Sequence, residues 1–192
     1  MDHETRRREV GAVAAALIAD GGLDAATIRD VASAAGYSTK AVTRYFTDKR
    51  DLLLHVYRAA AARARTRLDA AVAMTPDDPL ACVDELLPLD AARRRDWAVW
   101  FAFWSIAIGD PAFQEEQRER VRSTHQTLAR VVRSAVTSGR LPADVDAERV
   151  AARLLTTMHG VAVQSVFDPR RWTVARQREA LREQLDALSV VR

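Results

Sequence analysis

Apolar residues in this chain recur at three- and four-residue spacing, and Gly, Pro and capping residues cut that recurrence into nine segments. The first, over 4–20, carries Val10, Val13, Ala14, Leu17 and Ile18 on one stripe and stops at Gly21-Gly22. Thr27 opens the second: its hydroxyl suits a free backbone N–H, Asp30 stands three positions on, and Gly36 ends the run. After Tyr37, Ser38 caps a short third helix over 38–45, and Asp48 with Asp51 caps a fourth over 49–74. At 1.5 Å per residue the fourth reaches roughly 39 Å, enough to link two structural units.

Asp78-Pro79 begins a fifth helix that Pro88 closes, and Asp90 a sixth holding Trp97, Trp100, Phe101, Trp104 and Ile108 before Gly109. Asp110-Pro111 starts a long seventh that lasts to Gly139, Asp146 an eighth to about Phe167, and Thr173 a ninth to about Val190. No segment alternates like a strand, so the fold class is all-α. The longest apolar run, 97–108, is broken by Ser105 and falls short of the roughly 20 residues a membrane span needs.

Composition agrees. Among 192 residues 36 are Ala and 7 are Gly, which favours helix, and 48% hydrophobic content suffices for a buried core. The charged N-terminus followed by an Ala-rich amphipathic run is not an export signal, so a cytoplasmic protein is expected. Cys82 has no cysteine partner and no metal-ligand spacing around it. The net charge of +3 is small, and residues 1–60 hold nine basic against eight acidic residues. Any affinity for a polyanion must therefore come from where the cations sit.

The second and third helices, with Gly36 between, have the lengths and caps of a helix-turn-helix. Ile28, Val31, Ala32, Ala41 and Val42 supply the apolar contact, leaving Thr39, Lys40, Thr43 and Arg44 on the free face. All four can hydrogen-bond to base edges or phosphates; a merely solvated polar face is the bland alternative.

The stretch LIADGGLDAATIRDVASAAGYSTKAVTRYFTDKRDLLLHVY decides between them, because it resembles the DNA-binding domain of the TetR family of transcriptional repressors. Shared landmarks are the Gly after helix one, capping Thr27, Ala34-Ala35-Gly36, capping Ser38, Tyr45-Phe46, Lys49 and Leu52-Leu53. The resemblance implies a three-helix head (1–47) joined by the long fourth helix to a ligand-binding and dimerisation body (48–192). It implies DNA contacts from Thr27, Ser38, Thr39, Lys40, Thr43, Arg44, Tyr45 and Lys49, with Phe46 in the core. Lys40 stands where the family commonly has Gly, and Thr43 where it commonly has Tyr, so this chain's operator should be its own. Arg6, Arg7 and Arg8 are either a solvated charge run or contacts to the DNA backbone or minor groove.

The spans WAVWFAFWSIAIGDP and HGVAVQSVFDP resemble the body of the family's BetI-like branch. That resemblance implies a homodimer made by the last two helices, with Val150, Leu154, Leu155, Met158, Val161, Ala162 and Val166 facing Leu181, Leu185 and Leu188, and with Gly160 allowing close approach. The alternative for this face is the core of a single chain. It also implies a small-molecule effector of unknown identity, for which Trp97, Trp100, Phe101, Phe103, Trp104, His125, Met158, His159 and Gln164 are candidate pocket residues; ordinary core packing is the competing reading. The aromatic walls would suit a cation.

No cofactor or metal is implied, and no enzyme. The four His form no HExxH pattern, and there is no Gly-rich phosphate loop or nucleophile elbow. The expected partners are double-stranded operator DNA, a second copy of the chain and the effector, with no membrane. A helical protein-binding adaptor is the alternative function, but it leaves Lys40, Thr43 and Arg44 beside Tyr45 and Lys49 unexplained.

Overall fold

The computed structural model describes residues 3–190, with side chains through residue 187. In chain order they form α1 (His3–Gly21), a 3-10 turn (Leu23–Ala25), α2 (Ile28–Ala35), α3 (Thr39–Val42), α4 (Lys49–Met74), α5 (Pro79–Asp84), α6 (Ala91–Ala107), α7 (Pro111–Thr137), α8 (Ala147–Phe167) and α9 (Val174–Val190). Among the described residues there is no strand.

Local chemistry sets most of these boundaries. Asp30 N–H donates to Thr27 Oγ1 at 3.1 Å, Ala41 N–H to Ser38 Oγ at 3.1 Å, and Asp51 N–H to Asp48 Oδ1 at 2.8 Å. Asp78, Asp90, Asp110 and Asp146 cap α5, α6, α7 and α8 in the same way. Gly36, at φ 71°, closes α2 with a Schellman turn in which Tyr37 N–H donates to Ala32 O at 2.9 Å. A side chain there would be strained, and the turn is what swings the chain into α3. The pattern over 38–45 is shorter as a regular helix: beyond Val42, Arg44 N–H and Tyr45 N–H bond three residues back, at 3.3 and 2.9 Å, in a tighter winding. The 3-10 turn at Leu23–Ala25 is too short to leave a periodic signature, and the sequence pattern misses it.

Packing divides the chain into two compact units, Met1–Ala62 with Arg95–Glu115 and Arg63–Arg94 with Glu116–Arg192. This differs from a cut at 47/48, because the start of α4 and most of α6 pack with the head. The first unit is built on Val10, Ala14, Ile18, Val31, Val42, Phe46, Leu52, Val56 and, from α6, Trp97, Trp100 and Phe103, all buried. Phe103 is sandwiched there: its ring stacks on Tyr57 at 3.8 Å and on Phe113 at 4.6 Å. It is therefore packed as core. Arg50 then ties the start of α4 to the cap of α7, its guanidinium bonding both carboxylate oxygens of Asp110 at 2.9 and 3.0 Å while lying over the Phe113 ring. This fork and the backbone N–H groups of α7 hold the Asp110 carboxyl down at about 2.

Gly11 brings α1 against α4. An added Cβ would meet His55 Cδ2 at 2.7 Å, and that ring is held edge-on to Phe46 at 5.2 Å. Gly11→Val is expected to overpack this contact and to destabilise the chain by about 1–3 kcal/mol in urea unfolding. An unchanged midpoint would mean that the ring swings away freely.

The second unit packs α8 against α9, with α5 on both. Val150, Leu154, Leu155, Met158, Val161, Ala162, Leu181 and Leu185 are all buried within the single chain, Leu154 and Ala162 completely. These residues of the stripe that the sequence offers as a subunit face are thus covered by the chain's own neighbours, while Val166 of the same stripe is half-buried. The side chain of Leu188 lies outside the described residues. Arg178 reaches Asp84 at 2.6 Å, and Arg140 reaches Asp77 at 3.1 Å, closing this unit at its rim.

Candidate nucleic-acid interface

The interface is built from the caps outward. Thr27, held by its bonds with the Asp30 backbone and carboxylate, and Ser38, bonded to Ala41 N–H, fix where α2 and α3 begin. Val31, Ala32 and Val42 are buried between the two helices and the rest of the head. Thr39, Lys40, Thr43 and Arg44, the four residues expected on the reading face, are all exposed. Thr43 Oγ1 donates to the Lys40 carbonyl at 3.1 Å. Tyr45 is half-buried with its ring 4.9 Å from that of His3, and His3 Nε2–H donates to the Arg44 carbonyl at 3.4 Å. The N-terminus of α1 therefore braces the end of the reading segment.

Lys49 is differently placed. Its Nζ donates to the Leu23 carbonyl at 2.8 Å and so stabilises the 3-10 turn. Contact with phosphate would add to this bond or replace it. The arginine run of α1 also faces inward: Arg6 bonds Glu9 at 3.1 Å and the Tyr37 hydroxyl, and Arg7 bonds Asp51 at 2.8 Å with its guanidinium 5.0 Å from the Phe46 ring centre. Only Arg8 of the three is exposed, donating to Thr5 Oγ1 at 3.4 Å. Sequence reasoning overlooked Arg29, exposed in the first turn of α2; a cation among the first residues after the capping Thr27 was the available signal.

The candidate effector residues divide between the units. On α6, Trp97 and Trp100 are buried edge-to-face at 4.9 Å, Trp104 lies edge-on to Trp97 at 6.0 Å, and Phe101 to Trp104 at 5.4 Å, so the four rings do form one cluster. Asp96, which sequence reasoning passed over, is buried one position before it. In the second unit Met158 is buried and Gln164 exposed on α8. His125 Nε2–H donates to the Glu148 carbonyl at 3.1 Å, a bond that joins α7 to α8. His159 Nδ1–H donates to the Leu155 carbonyl at 2.8 Å; burial, with the Arg120 charge adding, pushes its imidazole down to about 4. Among the described residues no group of three or more His, Cys, Asp or Glu is placed to hold a metal ion, and no helix is long and apolar enough to cross a membrane.

Comparison with known proteins accounts for both parts of this arrangement. Residues 12–56 match the profile described as bacterial regulatory proteins, tetR family, and residues 64–190 that of the BetI-type transcriptional repressor C-terminal domain. The chain belongs to the TetR family. It is 24% identical over 197 residues to the HTH-type transcriptional regulator PksA of Bacillus subtilis, covering 99% of this chain and 93% of that one. It is 31% identical over 140 residues to the HTH-type transcriptional regulator BetI of Burkholderia mallei, covering 65% and 66%. A transcriptional regulator from Saccharomonospora viridis, solved in complex with choline, superposes with a TM-score of 0.89 at 26% identity over 98% of this chain and 100% of that one. The protein is a TetR-family transcriptional regulator, and these relatives are named as regulators and not as enzymes.

Proposed function

We propose that the protein is a homodimeric TetR-family repressor that sets α3 of each subunit into successive major grooves of a palindromic operator and lets go when a small molecule binds its body. One observation carries the DNA-binding part. Lys40 on α3 and Arg44 in the turn that follows it have side chains with no partner among the described residues, whereas Arg6, Arg7 and Arg50 are each paired with a carboxylate of the same unit. Arg29, Tyr45 and Lys49 flank this pair as phosphate contacts, Lys49 by giving up or sharing its bond to Leu23, and Thr27 and Ser38 offer their helix starts. Two such heads about 34 to 36 Å apart read a two-fold site.

The dimer uses the outer face of α8 and α9. On α8 that face runs through Arg153, Thr156, Gly160 and Gln164 to Phe167, whose ring is 80% exposed. A Cβ built on Gly160 meets nothing within 4 Å, so a second backbone can come close there. For the effector, the indole faces of α6 with buried Asp96 suit an organic cation, and the choline held by the Saccharomonospora neighbour supports a quaternary ammonium.

The test is a gel shift of the full chain on the DNA flanking its own gene, run with column sizing and repeated with choline. A retarded band lost at raised salt, an apparent mass of twice 21.3 kDa and release by the cation are expected. A folded monomer that retards no DNA would overturn the reading in favour of a protein-binding adaptor.

A further inference from the structure

The sequence that the head reads follows from which side chains stand opposite the anchor of α3. Val42 is fully buried and so defines the inward direction of that helix. At about 100° per residue, Lys40 stands roughly 160° from Val42 in one sense and Arg44 roughly 160° in the other. The bond from Arg44 N–H to the Ala41 carbonyl, three residues back, winds Arg44 a few tens of degrees further. The pair thus straddles the line pointing directly away from the head. Thr39 and Thr43 lie about 60° and 100° round on one flank, and Ala41 faces the other at about 100°.

The chemistry of those outermost groups is one-sided. An ammonium and a guanidinium carry N–H donors and no acceptor. In the major groove, guanine alone shows two adjacent acceptors, O6 and N7; adenine sets a donor beside its N7, and cytosine shows a donor. Among the described residues no carboxylate holds either side chain, so neither must be released from one before it meets a base. The Thr43 hydroxyl already donates its proton to the Lys40 carbonyl at 3.1 Å, so toward a base it offers a methyl and an acceptor oxygen, and no donor. A methyl beside a groove wall matches the C5-methyl of thymine.

We propose that α3 reads guanine with both Lys40 and Arg44, each taking the O6 and N7 edge of a separate guanine one or two base pairs apart, with a thymine methyl against Thr43. This rests on the DNA-binding reading above and specifies its target. The spacing comes from side chains four residues apart on a helix, about 5 to 6 Å between Cβ atoms, against the 3.4 Å rise of B-DNA.

The full chain is used to select sites from a duplex library with a randomised centre, and the enriched duplex is then altered atom by atom. Two guanines at that spacing are expected in each half-site. Replacing either with 7-deazaguanine, which lacks the N7 acceptor, should weaken binding about 5-fold or more, and deoxyuridine in place of the neighbouring thymine should weaken it by a smaller factor. In Arg44→Ala the 7-deaza penalty should vanish at one guanine and persist at the other, and Lys40→Ala should do the reverse. Both variants should keep the wild-type melting curve, because these side chains hold nothing in the fold. Enriched sites indifferent to 7-deazaguanine would overturn the assignment while leaving DNA binding intact. So would variants that lose affinity equally on all sequences with the salt slope reduced by about 0.9 each, the mark of phosphate contacts. A wild-type chain that enriches no sequence and binds no duplex would instead remove the DNA-binding reading itself.

Discussion

Replacing Leu154 with Ala will cost the folded chain about 2–5 kcal/mol, at every protein concentration. Leu154 is fully buried on α8, with Val150, Leu155 and Met158 beside it and Leu181 and Leu185 of α9 in the same core. Three heavy atoms fewer leave a void that helices held by caps and by the Arg178–Asp84 bridge cannot collapse to fill. Urea unfolding at two chain concentrations checks this: the midpoint should fall with the slope unchanged, by the same amount in both. Were Leu154 part of a subunit interface, the loss would grow on dilution and a soluble, stable monomer would appear. Gly160→Glu is the contrasting change. It lies on the open side of α8, so it should leave the monomer fold intact while driving the apparent mass towards that of a single chain.

Acidification from pH 6.5 to about 4 will remove at most about 3 kcal/mol of stability through His159. The sign follows from burial. The folded protein holds this imidazole neutral down to about 4, with Arg120 opposing its protonation, while the unfolded chain takes up a proton from 6.5 downward. Between those values the unfolded state binds more protons, so the contribution is complete above 6.5 and lost as pH falls through 4. His55, pushed down by burial and then by the Arg7 charge, acts in the same direction. Comparing the wild type with His159→Gln isolates the larger effect: the variant should lose less stability than the wild type between pH 7 and 4.5. Parallel pH curves would show that the ring protonates in place.

What the sequence disclosed is what local chemistry decides. Thr27, Ser38, Asp48, Asp110 and Asp146 fix helix starts by bonds spanning two or three residues, and such bonds can be read without the rest of the chain. The polar quartet on α3 was legible for the same reason, since Val42 alone sets its outward face. Long-range pairings were not legible. An apolar stripe on α8 announces that it is buried and is silent about whether its own chain or a second copy covers it. Arg6 and Arg7 resemble free cations until folding brings Tyr37 and Asp51 to them from distant positions. The commitment of Lys49 to Leu23 needed the 3-10 turn, and the sandwiching of Phe103 needed Tyr57 and Phe113, partners from other helices.

The reading segment holds only the four regular residues of α3 and the tighter turn after them, and its outward side chains add almost nothing to the fold that presents them. The caps, the buried Val42 and the brace from His3 hold its backbone whichever residues stand at 39, 40, 43 and 44. Mutational drift at these four sites can therefore explore new operators at nearly constant thermal stability. A regulator of this build can follow its promoter as the promoter changes, or be copied and set to a different gene, without first acquiring compensating changes in its core.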